Sequence, residues 1–460
     1  MDVSLSSEPG MDAFDLARRA RELMPQLQRD LGDLVRIPSI SVPGRIDEAL
    51  LDAFEMTSAL FAGAGVDIGR LDLADTAPVV TGSIPAPPGA PTVLLYSHYD
   101  VVPAGDESLW ESPPFEPSER DGALFGRGAA DTKSNIIALV GALRVWNGRP
   151  PVGLKVCIEG YEEIGSGALT SYPASDPERF GADALLIGDM GSIRPGVPTL
   201  TTALRGMANV TLEARTLESG KHSGQYGGAA PDALLAVLRA VASLHDEHGD
   251  VAVAGLKRTE WDGRAQPEED FRELATVLDG MPLIGTGGLG SRVWSGPAIT
   301  VIGVDVPSVD GAVNAVSPYA RAMLNVRVHP EQDAVEAQNA VIAHLRDLKP
   351  FGIDLDVRPG PTGNGFAAKT GGPAYAAARA AWSAAWGADV LLAGSGGSIP
   401  IVSALAGALP NAEALLVGTT DGFANIHGPN ERVLLDELER TTIAQAEFFG
   451  RFAAMAGDAS

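Results

Sequence analysis

Short apolar runs alternate with amphipathic stretches along this chain, and that rhythm predicts its elements. Residues 13–35 place Phe14, Leu16, Leu23, Leu27, Leu31 and Leu34 at helical spacing, and the pattern stops before Pro38. A second helix is predicted over 49–62 and a strand over 66–73. A Pro/Gly turn at 85–89 then hands the chain to Thr92-Val93-Leu94-Leu95, a run with the length and branching of a buried strand. Residues 107–121, with Trp110 and Phe115, read as a loop over the end of that strand. A helix over 134–146 and strands over 154–158 and 184–187 follow. Alternation of this kind predicts a doubly wound α/β domain.

The pattern changes after Pro198. An alternating strand at 209–214, a loop at 221–230 and a helix over 231–245 come first. Strands at 299–304 and 319–328, a helix over 334–348 and a strand at 353–357 follow. Together they predict a smaller α+β domain inserted into the first. Residues 249–297 are irregular and charged, and the pattern predicts no element there. Gly-Pro-Thr-Gly at 360–363 reads as the return hinge. A helix over 374–386, a strand at 414–417 and a helix over 434–456 complete the first domain. The expected division is therefore 1–201 with 363–460, and 202–362.

Composition narrows the function classes. A chain of 460 residues is too long for one ordinary core and suits two domains. Lys+Arg number 34 and Asp+Glu 59, so the formal charge is −25, a field that disfavours nucleic acid and anionic membranes as partners. No apolar run reaches membrane-spanning length, and residues 1–10 lack an apolar leader, so a cytoplasmic location is expected. The single Cys157 lies in an apolar run, which makes it a core residue and excludes an intrachain disulfide.

Candidate chemistry gathers at element ends. Ser-His-Tyr-Asp at 97–100 closes the strand that begins at Thr92, delivering His98 and Asp100 to the rim where open α/β sheets build sites. Continued as a strand, that spacing puts both side chains on one face. Gly-Arg-Gly-Ala-Ala-Asp-Thr-Lys at 126–133 sets Asp131 in a Gly-rich turn before a helix. Glu-Gly-Tyr-Glu-Glu-Ile-Gly-Ser at 159–166 carries Glu162 and Glu163, Gly-Asp ends the next apolar run at Asp189, and His427 comes late, before Gly-Pro-Asn-Glu. Two His, two single Asp and a Glu pair suit two divalent ions with O and N ligands and no thiolate. Read separately, the same residues are plainer. Asp131 would be a helix cap, the Glu pair a solvated turn and His427 a surface imidazole.

Taken in order, and with His-Ser-Gly at 222–224, these motifs resemble the M20 family of co-catalytic metallopeptidases, which includes carboxypeptidases, aminoacylases and carnosinase-like dipeptidases. The resemblance runs from about Leu31 to about Glu431. It implies that Asp131 bridges two metals, that His98 and Asp189 complete one, and that Glu163 and His427 complete the other. Asp100 would fix the His98 tautomer, and Glu162 would be the general base. Two divalent ions per subunit are implied, zinc first, with manganese and cobalt as alternatives.

Gly-Gly-Ser-Ile-Pro at 396–400 and Val-Asn-Ala-Val at 313–316 resemble the dipeptidase branch. By the same resemblance the inserted domain is a lid and dimerisation domain. Its His222 would reach the partner subunit's site and polarise the scissile carbonyl. Asn314 and Arg327 would hold the substrate's carbonyl and carboxylate, with Gly397 and Ser398 as donors nearby. Arg327 is otherwise an exposed strand charge. Gly394-Ser395 departs from the branch, which carries Arg-Glu there. The expectation is a homodimeric hydrolase of dipeptides or small peptides with a free carboxylate. Deacylation of N-acyl amino acids is the alternative within the family, and a non-catalytic binding protein is the alternative on the same fold.

Overall fold

The computed structural model describes residues 12–397 and 399–457. It divides into two compact units, one of Met1–Thr202, Ala368–Leu392 and Ile399–Ser460, the other of Ala203–Ala367 and Ala393–Ser398.

The first unit is built on a mixed sheet. Its strand order is Asp67–Leu71, Val79–Ile84, Gly153–Glu159, Thr92–His98, Ala184–Gly188, Glu413–Val417 and Thr199–Leu204. The four strands from Gly153–Glu159 to Glu413–Val417 are mutually parallel, so their carboxyl ends share one rim. Both faces are covered, which is why these strands read as largely apolar runs. Val93 and Leu95 enter one large core while Leu94 and Tyr96, on the opposite pleat, are equally buried.

Helix Ala13–Val35 begins at Asp12, whose side chain accepts the Asp15 N–H at 2.8 Å. It buries Leu16, Ala20, Met24, Leu27, Leu31 and Leu34, a stripe at three- and four-residue steps. Phe14, expected in that stripe, is 75% exposed because a two-residue step from Leu16 puts it on the other side of the helix. Helices Ala13–Val35, Ser134–Val145 and Leu435–Gly457 meet at Gly141, where a Cβ would lie 2.8 Å from both Leu27 and Thr442. Among the described residues no helix is long and apolar enough to cross a membrane.

The second unit has a four-stranded antiparallel sheet ordered Ala298–Asp305, Tyr319–Val328, Gly206–Arg215 and Asp356–Gly363. Ala208, Val210, Leu212 and Ala214 alternate inward with Ala320, Ala322, Leu324 and Val326 and pack on helices Ala233–Ala242 and Ala334–Leu348. Residues 360–363, read as the return hinge, belong to regular structure. They lie in the last strand, where Thr362 faces Ala208, because two Gly and a Pro are tolerated on an edge. The segment 249–297 also holds structure that the pattern did not predict, helices Glu268–Leu274 and Leu289–Val293, with Trp261 and Trp294 in edge-to-face contact at 5.0 Å.

Candidate metal centre

Four ligand-bearing loops leave the shared rim of the first sheet. The strand Thr92–His98 ends at His98 itself, so Asp100 does not follow it on one pleated face. The chain turns, and Asp100 Oδ1 comes back to within 3.3 Å of His98 Nδ1. The same carboxylate accepts the backbone N–H groups of Glu162 at 3.2 Å and Glu163 at 3.1 Å. Asp100 therefore ties the His98 strand to the turn that carries the Glu pair. That turn needs Gly160, since a Cβ there would lie 2.3 Å from the buried Tyr99 ring. Asp189 follows Ala184–Gly188 and donates its N–H to Val417 O at 3.2 Å.

Asp131 is not a helix cap. Helix Ser134–Val145 is preceded by a five-residue kinked turn, Ala129–Lys133, in which Asp131 has non-helical backbone angles. Its Oδ1 lies 3.2 Å from His98 Nε2, and its Oδ2 lies 3.2 Å from His427 Nε2. One carboxylate thus sits between two imidazoles. Around His98 stand Asp189 at 3.3 Å and Glu162 at 4.0 Å, and around His427 stands Glu163 at 3.0 Å. Ligand atoms of His98, Asp131 and Glu163 lie within 4.8 Å of one another, as do those of His98, Glu162 and Asp189.

Charge makes this cluster a fit for cations. Four carboxylates, Asp131, Glu162, Glu163 and Asp189, converge on two imidazoles, and Glu163 Oε1 is buried without a hydrogen-bond partner. Burial and then the Asp189 charge push the Glu162 carboxyl well up, and burial lifts Asp189 to about 6. Hydrogen bonds to Asp131 and Glu163 raise His427 to about 10. Burial opposes the His98 charge, yet Asp189 and its neighbours hold that imidazole well above its ordinary range. Anions packed this closely repel unless positive charge lies among them, and oxygen-rich ligands with two imidazoles suit divalent ions.

Sequence reasoning passed over the residues that hold these loops. Glu431 Oε1 accepts the N–H of Ala130 and of Asp131, and its other oxygen takes a buried ion pair from Arg127. Glu159 is buried and accepts from Tyr96 Oη at 2.7 Å and Ser166 Oγ at 2.9 Å, closing the loop between them. Both acids stood inside quoted motifs, but a supporting role leaves no signal beyond their presence. Cys157 is buried, as its apolar run predicts, and burial pushes its thiol up.

The remaining predicted site residues belong to the second unit. His222 pairs with Ala315 across two short strands, and Ser223 N donates to Asn314 O at 2.9 Å, which brings His222 and Asn314 together. Arg327 lies on a different strand, opposite Met207 and Ala298. Gly397 is exposed, and its N–H is donated to Ser395 Oγ at 3.2 Å. Ser398 lies outside the described residues.

Known proteins share this architecture. A family model described as peptidase family M20/M25/M40 matches residues 94–450. Cysteinylglycine-S-conjugate dipeptidase of Corynebacterium striatum is 42% identical over 405 residues, covering 86% of this chain and 89% of that protein. The fold is similar to that of human carnosine dipeptidase 1, with a TM-score of 0.80 at 22% identity over 97% of this chain and 100% of that one. It is also similar to that of the dipeptidase Dug1p of Saccharomyces cerevisiae, with a TM-score of 0.79 at 22% identity over 96% and 99%. The chain is a hydrolase and belongs to peptidase family M20/M25/M40.

Proposed function

We propose that this chain is a metal-dependent dipeptidase, hydrolysing the amide bond of dipeptides or small peptides that carry a free carboxylate. The observation that carries the metal chemistry is Asp131, whose two oxygens each meet a different imidazole at 3.2 Å. The dipeptide preference is supported by the Corynebacterium relative, a dipeptidase acting on cysteinylglycine S-conjugates.

His98, Asp131 and Asp189 would hold one divalent ion, and Asp131, Glu163 and His427 the other. Zinc leads, with manganese and cobalt as alternatives. Such ions supply Lewis-acid charge that acidifies the attacking water and polarises the scissile carbonyl. Glu162 takes the proton of that water on its carboxylate and returns it to the leaving amine nitrogen. Distances alone also admit Glu162 as a ligand beside His98 and Asp189. Its base role rests on the family resemblance and on the pairing of its neighbour Glu163 with His427. Asp100, facing His98 Nδ1, keeps Nε2 free to bind metal.

By the family resemblance, His222, Asn314, Arg327 and Ser398 would contact the substrate. A homodimer is the assembly we favour, in the cytoplasm. The dimer is supported by the edge strand Ala298–Asp305, which exposes Val301, Ile302 and Val304, a surface suited to a second copy. The test of the reaction is hydrolysis of a dipeptide panel beside an N-acyl amino acid panel with zinc, manganese or cobalt. Cleavage of dipeptides is expected. Turnover confined to N-acyl amino acids would assign the deacylase reaction instead.

A further inference from the structure

A cavity of about 250 Å³ lies wholly within the second unit, built from the segment 249–297 together with the start of strand Ala298–Asp305 and with Arg205. Three arginines line it, Arg205, Arg258 and Arg292, against one acid, Asp250. That acid is already engaged. It accepts from Arg258 Nη1 at 2.7 Å and from the Thr286 N–H at 3.0 Å. The other two guanidinium groups have no carboxylate partner among the described residues.

Arg205 is 9% exposed, bonds only weakly to Gly296 O at 3.4 Å, and its Nε has no partner. Burial, aided by Arg327, lowers it to about 10. Arg292 gives Nη1 to Ile284 O at 3.0 Å and leaves a buried Nε unpartnered. A buried cation with open donors is costly unless an anion meets it. The planar fork of arginine matches a carboxylate, and Phe271, Val293 and Ile299 give the rest of the cavity an apolar wall. Its volume is near the lower end for small-molecule sites.

We propose that this cavity binds a small organic carboxylate with an apolar body, the carboxylate meeting Arg205 and Arg292 and the hydrocarbon filling the wall beyond. Arg327, suggested for the carboxylate of the peptide substrate, is not in the lining, although it pairs with Ala298 at the cavity's edge. Nothing in the proposed reaction depends on the cavity.

Calorimetric titration of the metal-loaded enzyme with 4-methylpentanoate tests this, with the neutral isostere 4-methylpentanamide as control. Saturable binding in the millimolar range is expected, with the amide at least about 10-fold weaker. Arg292→Met, which removes charge, and Val293→Phe, which fills space, should each weaken binding by about 10-fold or more while dipeptide hydrolysis is kept. Arg327→Met should leave this binding unchanged. Absence of saturation to about 20 mM would overturn the proposal. So would equal binding of the amide, or loss of binding on Arg327→Met with Arg292→Met silent.

Discussion

Glu431 holds Asp131 from 300 residues away, its Oε1 accepting the Asp131 backbone N–H at 3.0 Å. The other oxygen of Glu431 is paired with Arg127, and both side chains are within 1% of complete burial. The carboxylate between the two imidazoles is therefore set by a buried ion pair that joins the first and last segments of the first unit.

Breaking that pair leaves a buried charge unmatched, which costs about 3–5 kcal/mol. Glu431→Ala should lose stability of that order in urea denaturation, since Arg127 would keep its charge. Glu431→Gln keeps an acceptor for Ala130 and Asp131 and should lose less. Equal stability of Glu431→Ala and the parent chain would show that the pair does not hold the loop.

Asp131 is the shared carboxylate of the proposed centre, so its loss should empty both positions rather than one. Elemental analysis of the parent enzyme should find about two divalent ions per chain, and of Asp131→Ala close to none. One ion retained would make Asp131 an ordinary ligand.

Glu159 makes stability depend on pH. Burial lifts its carboxyl from 4.5 to about 7 in the folded chain. Between those values the folded state keeps a proton that the unfolded state has released. Stability therefore falls as pH rises from about 4.5 to about 7. Glu159→Gln removes that slope. Compared by urea denaturation at constant metal, the variant should gain on the parent between pH 5 and pH 8. A difference that stays constant over this range would place the Glu159 pKa near its unfolded value.

His222 acts across the dimer in the reading favoured here. Inactive His222→Ala mixed with inactive Glu162→Ala should recover activity, because one site of a mixed dimer would be intact. Demonstrated subunit exchange without recovery would confine His222 to its own subunit.

The first sheet was legible because a parallel strand buried on both faces must be nearly all apolar, as residues 93–95 and 184–187 are. Among the candidate ligands, His98 and Asp189 stood out because each sits where such a run ends, and Asp131 because it lies in a Gly-rich turn. Their supports were not. Glu431 and Arg127 lie 304 residues apart, and no local period links them. Helix Pro400–Ala408 was missed because its alanines and glycine carry little amphipathic signal, and the helices of 249–297 are short and only partly buried. Asp131 shows the limit most clearly. A cap and a metal bridge use the same residue at the same distance from a helix, and only the kinked turn separates them.

Glu162 and Glu163 are adjacent, yet the structure gives them different neighbours. Glu163 Oε2 lies 3.0 Å from His427 Nε2, while Glu162 Oε2 stands 4.0 Å from His98 Nε2. The backbone of both is fixed by Asp100, so exchanging one side chain should not move the other. Glu162→Gln keeps the shape and removes the base. It should keep its metal and bind substrate normally while turnover falls by roughly 10²–10⁴-fold, the usual contribution of a positioned acid/base. Glu163→Gln should instead weaken the metal shared with His427 and lose activity by that route. The two variants differ by one carboxylate position, so metal content beside kcat decides between the roles. Metal loss in Glu162→Gln with metal kept in Glu163→Gln would exchange them, and full turnover in both would remove the Glu pair from the chemistry.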